Sequence, residues 1–240
     1  MASISLVAFD LDDTLYSERA FVRSGFRVVS DYLVRAGIAD RPLFDDFEVA
    51  FQNGVRGNTF NRVLAESGIE PTEELVQRLV AIYQSHRSPY GVVRPDIRLY
   101  DDADRALADL KARGLRVVLI SDGDLLAQET KVRALGLARR MDAIVLTGAW
   151  EKRFSKPHPR AFREVAERFS LSPLACVYVA DNPQKDFQGP AEALWQPSIW
   201  VRRPDGIYRD AVLADGRLVS ATAADLTGLA ATLEGLFGPP

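Results

Sequence analysis

The chain has 240 residues, of which 47% are hydrophobic and 26% charged, and its formal net charge at pH 7 is -3. These values are ordinary for a globular protein, and the scattered lysines and arginines argue against a nucleic-acid-binding surface. One cysteine and two histidines exclude an internal disulfide and a thiolate cluster, and they argue against a zinc or non-haem iron site. Without a signal peptide or an apolar run near ~18 residues, we expect a cytoplasmic protein that makes no membrane contact.

The first predicted element is a buried strand that ends in clustered carboxylates. Residues 4 to 15 read ISLVAFDLDDTL, an apolar half followed by Asp10, Asp12 and Asp13. Carboxylates clustered after a buried strand repel one another unless a cation or protons offset their charge. Because ligands bind beyond the carboxyl ends of strands in open α/β sheets, this stretch predicts a ligand site.

The residues that follow carry the spacing of amphipathic helices. Apolar side chains recur at helical intervals, and turn or capping residues separate the stretches. These stretches are residues 18–37, 42–54, 59–67 and 71–83. Residues 17 to 89 are therefore predicted to be all-helical. His86 falls near the end of this segment, and we interpret it as a surface residue.

Beyond a linker at residues 89 to 95, apolar strands alternate with helical stretches. The predicted strands are residues 115–120, 143–147, 176–180 and 199–201. Together with the first strand they argue for an α/β fold with a parallel, doubly wound sheet. Near the end of the chain, Asp215-Gly216 is interpreted as a hairpin turn.

This order of elements predicts two domains. Residues 1–16 and 90–240 would form the α/β core, and residues 17–89 would form an inserted helical domain. Because the insert leaves the core directly after the first strand, we expect it above the carboxyl end of that strand, over Asp10. A lid over a ligand site belongs at this position.

Four polar clusters are predicted to converge on one edge of the sheet. They are Asp10 with Asp12 after the first strand, Ser121-Asp122-Gly123 after the second, Lys156 in SKPHP after the third, and Asp181 with Asp186 after the fourth. One polar residue after a strand is an ordinary turn feature. Four converging clusters have no ready structural explanation.

The order and spacing of these clusters resemble the four motifs of the haloacid dehalogenase-like (HAD) hydrolases. Those motifs are an apolar strand with DxDxT, then Ser or Thr, then Lys, and then Asp followed by a second acid. The helical insert resembles the C1-type cap of subfamily I, so the resemblance implies a Rossmann-like core with an inserted all-helical cap. Asp122 stands where asparagine is frequent and Ala180 where glycine is usual, and neither change removes a catalytic group.

The resemblance implies a role for each motif residue. Asp10 is the expected nucleophile, which forms an aspartyl-phosphate, and Asp12 is the expected general acid and base. Ser121 and Lys156 complete the expected catalytic set, and together with Asp122 they are expected to bind the substrate phosphate.

The resemblance also implies a Mg²⁺ ion, which prefers hard oxygen ligands. Asp10, the backbone carbonyl of Asp12 and Asp181 are expected to hold the ion. Asp186 is expected to orient either metal-bound water or Lys156, and whether it touches the metal directly stays open.

The expected function is Mg²⁺-dependent hydrolysis of a small phosphorylated metabolite, a sugar phosphate or a nucleotide-like phosphomonoester. A phosphomutase or a 2-haloacid dehalogenase uses the same fold, although the dehalogenases of the family lack an acid at the position of Asp12. A phosphate-sensing regulatory protein is the non-enzymatic alternative. No nucleic-acid or membrane partner is expected, and a monomer or a homodimer is compatible with the chain.

In the loop GVRGN, Arg56 and Asn58 are predicted to line the substrate side of the cap, with a solvated loop as the alternative.

Overall fold

The structure is a computed structural model that describes residues 3–238. Its internal contacts divide the chain into two compact units. The first contains Met1–Glu18, Arg98–Gln128 and Leu135–Pro240, and the second contains Arg19–Ile97 and Glu129–Ala134. We refer to them as the α/β unit and the helical unit.

Both units are built from short regular elements. In chain order these are β1 (Leu6–Phe9), α1 (Glu18–Arg35), α2 (Phe44–Gln52), α3 (Thr59–Glu66), α4 (Glu73–Ser85), β2 (Arg87–Ser88), β3 (Gly91–Val92), α5 (Asp101–Ala112), β4 (Arg116–Ser121), α6 (Leu125–Ala134), β5 (Ala143–Leu146), α7 (Arg160–Arg168), β6 (Cys176–Ala180), α8 (Gln188–Glu192), β7 (Ser198–Val201), β8 (Val219–Ala223) and α9 (Leu229–Phe237). Among residues 3–238, no helix combines the length and the apolar character that crossing a membrane requires.

Aromatic side chains form the core of the helical unit. Phe26 of α1 stacks on Phe47 of α2 with ring centroids 5.3 Å apart, and Phe60 of α3 meets both rings edge-on. Tyr83 of α4 completes the cluster against Phe26 and Phe60. Helix α1 approaches α4 this closely because residue 25 is a glycine, and a Cβ atom on Gly25 would collide with the Tyr83 ring. The apolar spacing in the sequence therefore marks the packed faces of these helices.

The end of the helical unit differs from the prediction in two ways. Residues 17 to 89 are predicted to lack strands, but β2 pairs antiparallel with β3. The unit also extends beyond residue 89, since the backbone N–H of Asp96 donates to Oγ of Ser24 at 3.0 Å. A hairpin of two-residue strands is too short to show a sequence period, so the pattern does not reveal it.

The surface interpretation of His86 is wrong, because its side chain is fully buried. Nε2 lies 2.9 Å from Oγ of Ser24, and the imidazole centroid lies 4.9 Å from that of the Phe21 ring. Burial lowers the pKa of His86 from 6.5 to about 4, against a weaker opposing hydrogen bond with the backbone of Tyr83. His86 is therefore a neutral core residue at pH 7.

A six-stranded parallel sheet runs through the α/β unit in the order β5-β4-β1-β6-β7-β8. Strand β1 pairs with β4 on one side and with β6 on the other. All four residues of β1 are fully buried, which explains their continuous apolar run. The predicted doubly wound α/β fold is confirmed, and each of the five predicted strands forms.

The sequence pattern misses the sixth strand. Strand β8 pairs in parallel with β7 instead of closing a hairpin. Asp215 and Gly216 lead into a single 3-10 turn, in which the Asp215 carboxylate accepts the backbone N–H of Arg217 at 3.0 Å. The residues of β8 are half-buried or exposed, so its short sequence VSATA lacks the apolar run of a buried strand. The hairpin interpretation is therefore wrong.

The burial of His86 predicts a pH-dependent stability. A histidine whose pKa is lower in the folded protein than in the unfolded chain binds its proton preferentially after unfolding. The free energy of unfolding is therefore expected to fall as the pH drops from about 6.5 towards 4, by roughly 2–3 kcal/mol for this group. Urea unfolding of the wild type and of His86→Gln across this pH range measures the contribution.

The variant His86→Gln removes the titrating group and keeps a polar group near the position of Nε2. Its loss of stability in acid is expected to be smaller than that of the wild type. The difference between the two proteins separates His86 from the carboxylates that titrate in the same range. Parallel pH profiles would contradict the prediction.

Candidate active site

The parallel register brings the carboxyl ends of three strands to one edge of the sheet. Phe9 of β1 lies opposite Leu119 of β4 and Val179 of β6. Each of these strands carries a polar residue at or directly after its end, and these residues are Asp10, Ser121 and Asp181. The predicted convergence of strand ends therefore occurs.

Lys156 lies at this edge with a fully buried side chain. Its ammonium contacts Oδ1 of Asp10 and Oδ1 of Asp186, both at 2.7 Å, and the hydroxyl of Tyr178 at 3.0 Å. The hydroxyl of Tyr178 in turn donates to the carbonyl oxygen of Ile120 at 2.9 Å. Burial alone would lower the pKa of Lys156, but the charges of Asp10 and Asp186 outweigh it and hold the pKa well above its ordinary value. Lys156 is therefore a fixed positive charge.

Three buried carboxylates share this one fixed cation. Asp10, Asp181 and Asp186 each offer an oxygen atom, and these atoms lie within 4.8 Å of one another. Burial raises the pKa of Asp10 to about 6 despite the opposing charge of Lys156, and burial and the neighbouring carboxylates raise that of Asp181 well above its ordinary value. If all three carboxylates ionise, two negative charges remain after Lys156 is counted, so the cluster favours a divalent cation or protons.

Asp12 is positioned by two hydrogen bonds of its own. Tyr16 donates its hydroxyl to Oδ1 of Asp12, and Gln128 donates its amide to Oδ2 at 3.2 Å. The amide oxygen of Gln128 accepts the hydroxyl of Ser121, also at 3.2 Å. Gln128 thus links Asp12, the predicted general acid, to Ser121, the residue predicted to donate a hydrogen bond to the substrate phosphate.

The carboxylate of Asp122 accepts one hydrogen bond from a side chain and one from the backbone. Oδ1 accepts the hydroxyl of Thr147 at 2.5 Å and the backbone N–H of Lys156 at 3.2 Å. Burial raises the pKa of Asp122, but the Thr147 hydrogen bond and the charges of Lys185 and Lys156 outweigh burial and hold it below its ordinary value. Asp122 therefore orients the segment that carries Lys156.

Asp13 belongs to the same acidic run but forms different contacts. Its backbone is left-handed with φ 48°, and its carboxylate accepts the backbone N–H groups of Glu18 at 2.8 Å and Ile207 at 2.7 Å. Arg203 adds a second brace by donating to the carbonyl oxygen of Thr14 at 2.8 Å. The loop after β7 thus fixes the turn that follows β1.

Comparison with known proteins identifies the family of this chain. The family model of the haloacid dehalogenase-like hydrolases matches residues 4–193. The chain belongs to this family. The predicted recognition of a HAD hydrolase is therefore confirmed.

Relatives of the HAD chain are phosphatases. A glyceraldehyde 3-phosphate phosphatase from Methanocaldococcus jannaschii is 30% identical over 213 residues, which cover 85% of this chain and 86% of that protein. A phosphoserine phosphatase from Thermus thermophilus is 31% identical over 154 residues, which cover 64% of this chain and 57% of that protein. The predicted enzyme class, a phosphoric monoester hydrolase of the HAD family, is confirmed.

A solved structure supports the same fold. A HAD hydrolase from Bacillus subtilis, crystallised with bound magnesium, has a TM-score of 0.69 and is 20% identical. The alignment covers 97% of this chain and 99% of that one. At this identity the likeness shows the fold, and the roles of individual residues are argued from the geometry.

The structure brings the predicted HAD motif residues together at the same edge of the sheet. They are Asp10, Asp12, Ser121, Asp122, Lys156, Asp181 and Asp186. Sequence reasoning missed Tyr16, Gln128 and Tyr178, whose hydrogen bonds hold Asp12 and Lys156. A tyrosine in an apolar run or a glutamine in a helix is an ordinary residue there, so only its place in the fold reveals the contact. The catalytic roles stay predictions.

Arg56 and Asn58 lie in the helical unit, in the loop between α2 and α3. Nη1 of Arg56 donates to the carbonyl oxygens of Phe51 at 2.7 Å and of Val55 at 2.9 Å, and its guanidinium lies over the Phe51 ring. These contacts tie the loop to α2. Asn58 is exposed and makes no side-chain cap on α3. The predicted substrate contacts of both residues stay predictions.

The donor set of the acidic cluster fits Mg²⁺. Asp10, Asp181 and Asp186 offer carboxylate oxygens, which is the ligand type that this ion prefers. The two negative charges left after Lys156 is counted match a divalent ion. A bound cation would also lower the raised pKa values of Asp10 and Asp181, because it favours their ionised forms.

Magnesium is therefore expected to stabilise the protein through this cluster. At about 100 times its Kd, a ligand adds about 2.7 kcal/mol, which corresponds to roughly 5–10 °C in melting temperature for a chain of this size. Asp181→Asn keeps the side-chain shape and removes one of the repelling charges. The metal-free variant is expected to melt at or above the wild-type temperature, and its response to Mg²⁺ is expected to be largely lost. Thermal melts in EDTA and in Mg²⁺ measure both effects.

Asp109→Asn is the control, since Asp109 is exposed on α5. This variant is expected to respond to Mg²⁺ like the wild type. A lower metal-free melting temperature in Asp181→Asn, together with the full Mg²⁺ response, would show that Asp181 is a structural carboxylate.

Proposed function

We propose that the chain is a Mg²⁺-dependent phosphatase that hydrolyses a small phosphorylated metabolite through an aspartyl-phosphate on Asp10. The observation that carries the proposal is the contact of Asp10 with the fixed cation Lys156 inside an acidic cluster, while Asp12 is held by other partners. A phosphate monoester is doubly charged and inert, so its cleavage depends on positioning and on charge compensation. The site offers hydrogen-bonding groups for positioning and the Lys156 ammonium for charge compensation.

In the first step, a carboxylate oxygen of Asp10 attacks phosphorus, and the bond from phosphorus to the leaving oxygen breaks. We assign the attack to Oδ2, because Lys156 holds Oδ1. Asp12 supplies the proton that the departing alkoxide needs. Tyr16 and Gln128 keep its carboxyl group in place during the transfer.

In the second step, a water oxygen forms a bond to phosphorus while Asp12 accepts a proton from that water. The bond from phosphorus to the Asp10 oxygen breaks, inorganic phosphate leaves, and Asp10 returns as a carboxylate. In both steps the hydroxyl of Ser121 turns its one proton from the Gln128 amide oxygen to a phosphoryl oxygen. Asp12 thus serves as acid and then as base, and its protonation state is restored after each turnover.

Magnesium would be held by Asp10, Asp181 and the backbone carbonyl of Asp12, and Asp186, which accepts a hydrogen bond from Lys156, belongs to the same acidic cluster. When bound, it offsets the negative charge of the phosphoryl group and of the carboxylates around it. The oxygen donor set of the cluster and the magnesium in the related fold support this assignment.

Phosphomonoester hydrolysis is favoured over the other reactions of this fold. The phosphatase relatives and the acid at position 12 support it over dehalogenation. A mutase would return the phosphoryl group to a sugar, so release of inorganic phosphate separates the two activities. Because the relatives are named for glyceraldehyde 3-phosphate and phosphoserine, small phosphomonoesters of this kind are the first substrates to test.

The helical unit is proposed to select the substrate while the α/β unit performs the chemistry. Every motif residue belongs to the α/β unit, and the helical unit is inserted in the chain directly after the first motif. A cap that closes over a site excludes bulk water and strengthens the charge interactions inside it. Arg56 and Asn58 are the residues proposed to contact the leaving group.

Variants of Asp10 and Asp12 are expected to be blocked at different steps of the reaction. Asp10→Asn lacks the nucleophile, so neither turnover nor a phosphoenzyme is expected with para-nitrophenyl phosphate. Asp12→Asn keeps the nucleophile and lacks the base, so turnover is expected to fall by about 100-fold or more while the phosphoenzyme accumulates. Para-nitrophenolate is a good leaving group and needs little protonation in the first step. Mass spectrometry of acid-quenched protein detects the adduct.

Asp109→Asn again serves as the control and is expected to turn over like the wild type. Phosphorylation of Asp12 in the Asp10→Asn protein would reverse the assigned roles. Undiminished turnover in EDTA would contradict the metal requirement.

Substitution of Arg56 or Asn58 is expected to slow turnover of the natural substrate and to leave turnover of para-nitrophenyl phosphate nearly unchanged. Arg56→Ala and Asn58→Ala are predicted to lower kcat/KM for the best phosphometabolite by about 10-fold. Turnover of para-nitrophenyl phosphate is expected to stay within about twofold, because its leaving group offers few polar atoms to lose. Kinetics on both substrates, with Arg62→Ala as an exposed control in α3, measure the effect.

Because Arg56 also holds α2, its variant is checked by its melting temperature. Equal losses on both substrates would mean that the loop supports the fold. No loss on either substrate would mean that other residues choose the substrate.

A further inference from the structure

A second lysine lies near this edge of the sheet and takes no part in the steps above. Lys185 belongs to the loop between β6 and α8 and directly precedes Asp186. The backbone N–H groups of Lys185 and Asp186 both donate to the carbonyl oxygen of Asn182, at 3.3 and 3.1 Å. The main chain at Lys185 is therefore held, and a flexible four-carbon stem joins the lysine ammonium to it.

The two lysines of the site differ in how closely other groups contact their ammonium groups. The buried ammonium of Lys156 contacts two carboxylates and one hydroxyl group. The side chain of Lys185 is 35% exposed, and its Nζ lies 3.6 Å from Oδ2 of Asp122. This distance is too long for a good hydrogen bond, so the pair with Asp122 is loose and is exchanged at low cost.

The charges around Lys185 are those of the catalytic cluster. Lys185 directly precedes Asp186 in the chain, and its partner Asp122 also accepts the backbone N–H of Lys156 at 3.2 Å. The ammonium therefore lies beside the carboxylate that holds the Lys156 segment. A phosphate dianion that enters from solvent brings two more negative charges to a place where Lys156 is already occupied.

We infer that Lys185 binds the phosphoryl group of the substrate, exchanging its loose pair with Asp122 for a phosphoryl oxygen. This inference rests on the proposed phosphatase function. Oδ1 of Asp122 is held by Thr147 and by the backbone of Lys156, so the carboxylate stays in place when the lysine moves.

The exchange also explains why an aspartate stands at position 122. An asparagine oxygen would accept the same two hydrogen bonds, but its amide group would carry no charge to hold Lys185. Asp122 thus keeps the ammonium at the site between turnovers.

Inorganic phosphate is the probe, and its binding to the Mg²⁺-saturated protein is measured by calorimetry. Lys185→Gln is expected to raise the Kd of phosphate about tenfold, and Lys185→Arg, which keeps the charge, to stay within about threefold of the wild type. Lys152→Gln removes an exposed lysine of the same unit and is expected to change nothing. The KM for para-nitrophenyl phosphate should rise by a similar factor with kcat changed less than about threefold, because the contact exists before and during the reaction.

Asp122→Asn tests the resting partner. Removing the competing carboxylate is expected to tighten phosphate binding by about two- to fivefold, and the gain is expected to shrink in the Lys185→Gln background, since the two residues are in contact. Equal gains in both backgrounds would separate Asp122 from Lys185 and overturn the exchange.

A measurement on the wild type does not depend on any variant folding. Phosphate is expected to slow acetylation of Lys185 several-fold and to leave Lys152 unaffected, as read by peptide mass spectrometry. Equal acetylation of Lys185 with and without phosphate, or an unchanged Kd in a folded Lys185→Gln protein, would overturn the inference and leave the phosphatase proposal intact. A wild type that neither binds phosphate nor turns over para-nitrophenyl phosphate would overturn both.

Discussion

The arrangement of the site depends on the contacts of the buried Lys156 ammonium with two carboxylates. The ammonium joins Asp10 at the end of β1 to Asp186 in the loop after β6, and Asp122 at the end of β4 binds the backbone N–H of the same lysine. Removing one partner from a buried ion pair generally costs about 3–5 kcal/mol, because the other charge stays buried without compensation. Here the lysine faces two carboxylates, so it locks three distant segments together and sets the local charge that a metal and a phosphate would meet.

The three aspartates of the first motif show how one turn divides its tasks. Asp10 belongs to the charge cluster, Asp12 is held by Tyr16 and Gln128, and Asp13 fixes the turn through backbone N–H groups. Such separation matters because a nucleophile and an acid-base group must keep different protonation states at one pH. Different hydrogen-bond partners give the two carboxyl groups different surroundings although they are two residues apart in the chain.

Much of the fold follows from local pattern, and the errors occur where that pattern is weak. The strands with continuous apolar runs and the helices with long apolar stripes form as predicted, because burial of one face is what creates those periods. The β2–β3 hairpin and β8 are short or only partly buried, so they leave no such trace. His86 is polar by type, and only the packing of Ser24 and Phe21 around it makes it a core residue.

The sequence by itself determined the fold class, the polar residue at each strand end and the family, because apolar runs and the DxDxT spacing are local features. Tertiary structure alone decided which of these residues touch. Lys156 and Asp10 are 146 residues apart, and Gln128 and Asp12 are 116 apart, so no local pattern links them. The order of the strands brings them together, and the burial that results sets the pKa of each group through desolvation and the charges it then faces. Lys185 shows the same division, since a lysine in a polar loop is unremarkable in sequence until its ammonium is found beside Asp122 at the carboxylate cluster.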